Sequence, residues 1–248
     1  MEHKPTVVMM GLGYIGLPTA ALISSRGLKV TGVDIREEVV DTINQGKIHI
    51  VEPDLDGLVH HVVNKGLLQA STSPIEAEVY LIAVPTPFKG DHVPDISYVL
   101  SAVDKIIPTL SENALVILES TSPVGTTEKI QQRIFETRPE LKDKIYIAYC
   151  PERVLPGQIL EELRTNDRIL GGISRVCALK AKRFYASFVE GNCALTDSRT
   201  AELCKLSENA FRDVNIAFAN ELSLVCDRLE IDVWQLIRFA NRHPRVNI

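Results

Sequence analysis

The sequence predicts an α/β fold, a doubly wound parallel sheet followed by a long central helix, and three observations carry that reading. Short apolar runs recur through residues 1–150 with helix-like segments between them. The runs are apolar at successive positions, as in strands covered on both faces. After Thr196 the alternation gives way to one long helical stretch.

Taken in order, residues 6–10 form a first strand that runs into Gly11-Leu12-Gly13-Tyr14-Ile15-Gly16. Residues 14–26 read as a helix stopped by Gly27. Residues 29–33 are a second strand closed by Asp34, and 37–45 a helix ending at Gly46. The strand at 79–84 leads into Pro85-Thr86-Pro87, and 96–107 is a helix. The strand at 114–118 leads into Glu119-Ser120-Thr121-Ser122-Pro123, followed by a helix at 126–136 and a strand at 145–149. Beyond residue 150, segments 169–173 and 193–196 read as short strands flanking a helix near 176–189. The expected division is 1–197 for the sheet domain and 198–248 for a helical region.

The totals narrow the function classes. A chain of 248 residues with 45% apolar and 24% charged residues builds a core of ordinary size. The net charge is −5 and no block of five basic residues occurs, which argues against a nucleic-acid partner. No apolar run approaches the roughly 18 residues of a membrane span, and no leader pattern opens the chain, so a cytoplasmic protein without a membrane partner is expected. The five cysteines are scattered and include no C-x-x-C pair, which points to reduced thiols and no metal framework.

The glycine turn follows a strand and opens a helix, and Asp34 ends the next strand. In that context Gly11 permits the tight turn, Gly13 lets backbone approach a pyrophosphate, and Gly16 lets helix pack on strand. The N–H groups near Tyr14 and Ile15 then face the pyrophosphate at the positive end of the helix. Asp34 is suited to a ribose diol and favours NAD, while Arg36 beside it keeps NADP as an alternative. This makes the sheet domain Rossmann-like. Thr86, the hydroxyls of residues 120–127 and the loop Cys150–Gly157 all follow strands, at the edge where such sheets bind ligands. Glu152 is placed to act as a general base and Arg153 to clamp an anion, with an ordinary surface ion pair as the other reading.

In CKLSENAFRDVNIAFANE, residues 204–221, Lys205, Asn209 and Arg212 share one helical stripe about 60° wide, with Asn209 about 40° to one side of Lys205 and Arg212 about 20° to the other. The helix is apolar nearly all round further on, so deep burial is expected. A solvated polar face is one reading of the stripe; in the other, a buried lysine with an amide beside it suits an oxyanion site, and an arginine suits a phosphate or carboxylate.

GLGYIGLP, Asp34, VPTP, ESTSPVGTT, YCPERVLPG, KLSENAFRDVNIAFANE and NRHPRVNI together resemble the UDP-glucose/GDP-mannose dehydrogenase family, over essentially the whole chain. The resemblance implies oxidation of a nucleotide sugar, here a UDP-sugar, at its C6 alcohol to the carboxylate with two NAD. The implied sequence is hydride transfer, thiohemiacetal formation, a second hydride transfer and thioester hydrolysis. It implies Lys205 as the proton donor and acceptor with Asn209 beside it, and Glu152 and Thr121 as the groups that position water. Arg153, Val154, Lys205, Asn209, Arg212, His243 and Arg245 are implied to meet the substrate. Gly11, Gly13, Tyr14, Ile15, Gly16, Asp34, Arg36, Thr86 and Thr127 are assigned to NAD. It also implies a homodimer, in which the apolar helix at 217–229 meets its copy.

The family's nucleophilic cysteine lies beyond the point that matches Ile248, followed by a further nucleotide-binding domain. None of the five cysteines here occupies that position. The chain is therefore expected to be an N-terminal part of such an enzyme and inactive alone. A non-catalytic NAD-binding or dimerisation module is the rival reading.

Overall fold

A computed structural model describes residues 4–248. The chain divides into two compact units, 1–203 and 204–248. In the first, β1 (Val7–Met10), α1 (Gly16–Ser25), β2 (Val30–Val33), α2 (Glu37–Asn44), α3 (Leu55–Asn64) and β3 (Leu68–Ser71) build one half of the sheet. Next come β4 (Val79–Ile82), a small hairpin of β5 (Phe88–Lys89) and β6 (Val93–Pro94), α4 (Ser97–Ile106), β7 (Leu115–Leu118), α5 (Thr126–Thr137) and β8 (Tyr146–Tyr149). Then follow α6 (Ile159–Thr165), β9 (Arg168–Gly172), α7 (Arg175–Tyr185), β10 (Cys193–Asp197) and the start of α8 (Ser198–Arg228). The second unit holds the rest of α8, then α9 (Val233–Ala240).

Among the described residues one sheet has the order β10-β9-β8-β7-β4-β1-β2-β3. The chain runs outward from β1 through β2 to β3, then returns to β4 on the other side of β1. That reversal opens a crevice at the carboxyl ends of β1 and β4, where open α/β sheets bind ligands. The six strands from β8 to β3 are parallel. One feature departs from an all-parallel sheet: β9 runs antiparallel to β8, and β10 follows β9.

The continuous apolar character of the strands has its reason in the two faces. Met9, Leu81 and Ile117 join Leu17, Val59 and Tyr185 in one core. Their neighbours Val8, Ile82 and Leu118 join Val99, Ile130 and Ile134 in a second core across the sheet. Each such aliphatic side chain contributes about 1.5–3 kcal/mol on burial. Helix α1 is buried almost throughout because it packs on the sheet and against both α3 and α6.

Helix α8 starts where Asp197 caps it, its carboxylate accepting from the Thr200 amide at 2.9 Å and the Thr200 hydroxyl at 2.7 Å. Its first residues belong to the first unit, with Ala201 and Glu202 fully buried. The deep burial expected further along does not hold within this chain. Phe211 is 73% exposed, and Val214, Ile216 and Phe218 are exposed as well. The physical reason is the small size of the second unit: residues 204–248 fold as the rest of α8 and one shorter helix, too little chain to enclose an apolar surface.

No helix among the described residues is long and apolar enough to cross a membrane. Helices α3 and α6 and strand β3 were not assigned from the sequence. Segment 55–71 mixes His60, His61, Asn64 and Lys65 into its apolar positions, which blurs its period.

Candidate active site

Five parallel strands deliver their following loops to one edge. Strand β1 delivers the glycine turn, β2 delivers Asp34, β4 delivers Thr86, β7 delivers Glu119 to Thr121, and β8 delivers Cys150 to Arg153. Gly11 has φ +93°, and a Cβ there would lie 2.5 Å from the Ala83 carbonyl oxygen. A Cβ at Gly16 would sit 1.8 Å from the Gly11 carbonyl oxygen, so this turn closes only with hydrogen at both positions. Gly13 differs, because nothing lies within 4 Å of a Cβ placed there. Backbone at Gly13 is thus open to a ligand, as pyrophosphate approach requires. The N-cap residue of α1, Ile15, supplies no side-chain hydrogen bond to the helix end, which leaves the positive terminus to an anion.

Asp34 is buried and receives the Leu12 amide at 3.2 Å and the Arg36 amide at 3.0 Å. Arg36 Nε reaches the same carboxylate at 3.3 Å from an exposed position. Asp34 therefore ties the glycine turn to the end of β2 and keeps lone pairs for a diol. These residues fit a bound dinucleotide.

The loops after β4 and β7 are stitched together. The Thr86 hydroxyl donates to the Thr121 carbonyl at 2.7 Å, and the Ser120 hydroxyl to the Val84 carbonyl at 2.7 Å. Thr127 is fully buried, and its amide and hydroxyl donate to Glu202 at 2.8 and 2.6 Å. The Gly125 amide donates to the same carboxylate at 2.6 Å. Glu202 thus caps α5 with a charge, so this helix end is already satisfied where that of α1 is not. Glu202 leaves little trace in the sequence, only an acid one turn before Lys205.

Glu152 is buried after β8. Its Oε1 accepts its neighbour Arg153's amide at 2.5 Å, and its Oε2 accepts Arg168 Nη1 at 3.0 Å. Arg153 donates from Nη1 to the Asp167 carbonyl at 3.1 Å, and Val154 is half-buried. Arg168 and Tyr185 also went unread, because each resembles an ordinary element end in the sequence. In the second unit Asn209 Oδ1 accepts from Arg212 at 3.4 Å, and Lys205 is half-buried on the same helix. His243 and Arg245 lie exposed beyond α9. Among the described residues no three His, Cys, Asp or Glu side chains are grouped to hold a metal ion.

Burial raises the Cys150 thiol to about 12, with Arg168 partly opposing and Glu119 adding to the shift. A thiol so desolvated is inert at neutral pH, and this argues against Cys150, two positions before Glu152, as a nucleophile. Burial likewise pushes the Glu119 carboxyl up to about 7, against the Tyr185 hydrogen bond and the Arg168 charge, with Glu152 reinforcing the rise. A raised carboxyl stabilises the fold fully below its ordinary value of 4.5, and that contribution is lost as pH rises through about 7. The loss amounts to about 3 kcal/mol. Glu119→Gln keeps an acceptor for Tyr185 and carries no charge. Its thermal midpoint is expected to exceed that of the unmodified chain at pH 8 and to approach it near pH 4.5. Parallel midpoint curves for the two chains across that range would contradict this.

Profiles of known families match the chain along nearly its whole length. The UDP-glucose/GDP-mannose dehydrogenase NAD binding domain covers residues 5–189 and the central domain of the same family covers 199–248. The chain belongs to the UDP-glucose/GDP-mannose dehydrogenase family. The UDP-N-acetyl-D-mannosamine dehydrogenase of Escherichia coli K12 is 60% identical over 98% of this chain and 60% of its own length. The NDP-N-acetyl-D-galactosaminuronic acid dehydrogenase of Ralstonia nicotianae is 56% identical over 98% of this chain and 59% of its own. Among solved structures, the UDP-D-ManNAc dehydrogenase of Pyrococcus horikoshii superposes with a TM-score of 0.93 at 43% identity, covering 98% of this chain and 59% of that one. The chain therefore spans about 60% of the length of the relatives it matches. The glycine turn and Asp34 belong to the family's NAD-binding domain.

Proposed function

We propose that this chain is the N-terminal part of a nucleotide-sugar 6-dehydrogenase that oxidises UDP-N-acetyl-D-mannosamine to the uronate with two NAD. Residues 1–197 are its NAD-binding domain and 198–248 its central helical and dimerisation region. One observation carries the reading: the glycine turn, Asp34, Thr86, Thr121 and Glu152 all lie at a single sheet edge. The relatives' names supply the sugar.

NAD, when bound, would supply the hydride acceptor. The chain's own residues do the rest. Gly13 backbone and the α1 terminus would hold the pyrophosphate, and Asp34 the ribose diol. The stitched Thr86 and Thr121 loops keep one wall fixed, so no reorganisation is needed when substrate arrives. Thr121 and Glu152 orient the hydrolytic water, and Glu152 accepts its proton. Lys205 and Asn209 stabilise negative charge on the substrate oxygen, and Arg153, Val154, Arg212, His243 and Arg245 bind the nucleotide sugar. Residues 1–248 alone hold no nucleophile for the thioester and make no sugar acid.

Calorimetry tests the cofactor assignment directly. The unmodified chain is expected to prefer NAD, because a carboxylate at position 34 repels a 2′-phosphate. Asp34→Ala is expected to weaken NAD and to narrow that preference. Tighter binding of NADP by the unmodified chain would overturn it, with Arg36 the deciding residue.

The exposed Phe211, Phe218 and Trp234 support a homodimer with two-fold symmetry built through the helical region. Light scattering at roughly tens of micromolar is expected to give twice the chain mass. A clean monomer would count against it.

A further inference from the structure

Behind the Thr121 loop, four buried polar side chains converge from four elements. They are Glu119 at the end of β7, Glu152 after β8, Arg168 opening β9 and Tyr185 closing α7. The reversed strand explains the meeting. Tyr149 pairs with Gly171, so antiparallel β9 begins at the edge where β8 ends. A parallel β9 would have carried Arg168 to the opposite edge. Helix α7, returning toward β10, brings Tyr185 back to the same edge.

The bonds are specific. Arg168 is 2% exposed, with Nη1 on Glu152 Oε2 at 3.0 Å and Nη2 on the Leu163 carbonyl at 2.9 Å. Its guanidinium carbon lies 5.9 Å from the centroid of the Tyr185 ring. The Tyr185 hydroxyl donates to Glu119 Oε1 at 2.5 Å, and Glu119 Oε2 is buried without a hydrogen-bond partner among the described residues. The cluster thus sets one guanidinium against two carboxylates. In a buried setting the second negative charge has no hydrogen-bonded cation to offset its desolvation.

We propose that Arg168 is a positioning residue, which clamps the Glu152 carboxylate in place and confines the cluster's negative charge to it, with Tyr185 and Glu119 closing the far side of the same guanidinium. The proposal deepens the reading of Glu152 as the water-orienting group and rests on it. With Oε1 on the Arg153 amide and Oε2 on Arg168, the carboxylate cannot rotate, and each oxygen keeps a lone pair for water. Glu119, which has no hydrogen-bonded cation, is the carboxyl that burial biases toward its neutral form. The groups that face it are Tyr185 from α7, Arg168 from β9 and Glu152 from the end of β8, with the Cys150 thiol coupled to it there, and its raised titration agrees with the first three.

The test needs neither substrate nor turnover. Residues 1–248 are labelled with carboxyl-13C glutamate, Glu119 is assigned with Glu119→Gln, and its titration is followed by NMR beside exchange of the Arg153 amide. Arg168→Met is expected to move the Glu119 midpoint up by roughly one unit, because a cation is lost. It is also expected to speed Arg153 amide exchange roughly tenfold, because the carboxylate that holds the amide comes loose. Arg168→Lys keeps the charge without the planar fork, so the midpoint should stay close to that of the unmodified chain while the amide exchange still rises. Glu119→Gln should leave the amide exchange unchanged. A folded Arg168→Met chain with both readouts unmoved would overturn the proposal. If that variant does not fold, unchanged amide exchange in Arg168→Lys overturns it equally. A merely structural arginine would lower the thermal midpoint of its variants without speeding exchange of the Arg153 amide above that of its neighbours. NAD calorimetry on the same variants should match the unmodified chain. Failure of the dehydrogenase reading would therefore show in turnover, and failure of this proposal only in the titration and exchange.

Discussion

Gly13→Ala is expected to weaken NAD by roughly 10²-fold while leaving the thermal midpoint where it was. Gly16→Ala is expected to lower both. The difference comes from what each added methyl meets. At Gly13 the Cβ enters open space, so the fold has no reason to respond, and the loss falls on the ligand. At Gly16 the Cβ sits 1.8 Å from a backbone oxygen, which no rotamer relieves. The turn must shift, and overpacking of this kind costs about 3 kcal/mol or more. Calorimetry with NAD and a thermal melt on both variants check the pair. Unchanged NAD affinity in Gly13→Ala would remove the glycine turn from the cofactor site.

In a chain extended to the length of its relatives, Lys205→Ala is expected to lower kcat by roughly 10²–10⁴-fold, the scale of losing a positioned proton donor or oxyanion partner. The effect on KM should be smaller, because the charge that Lys205 is proposed to meet would develop in the transition state. Asn209 lies one turn along the same helix, with its side-chain oxygen near Arg212. The lysine, amide and arginine of this stripe thus offer hydrogen-bond donors one above another. Steady-state kinetics on the unmodified and substituted extended chains decide the point. An unchanged kcat would return the stripe to an ordinary polar helix face.

Much of the fold was legible because strands covered on both faces leave a strong mark. Segments such as Val79–Ile82 and Leu115–Leu118 are apolar without interruption and end in proline- or hydroxyl-rich loops. The reversal of β9 was not legible, since strand direction depends on where the connecting chain crosses and leaves no trace in Arg168–Gly172 itself. Candidate cofactor residues could be named because spacing dictates their chemistry: glycines at a fixed interval before a helix, then an acid after the next strand. The buried polar cluster could not. Arg168, Tyr185 and Glu119 meet only through tertiary packing, and they lie 17 to 66 positions apart in the chain. The opposite error occurred on α8, where apolar residues promised burial that residues 204–248 do not provide for Phe211 or Phe218. Periodicity reports which face wants cover and says nothing about what covers it.

The most direct test of the account is NADH formation with UDP-N-acetyl-D-mannosamine, UDP-glucose and GDP-mannose, measured for residues 1–248 and for a chain of the relatives' full length. Residues 1–248 are expected to bind NAD and form no sugar acid. The longer chain is expected to form two NADH per UDP-N-acetyl-D-mannosamine and to be slow on the other two sugars. Robust turnover by residues 1–248, or a longer chain that ignores all three nucleotide sugars, would contradict it.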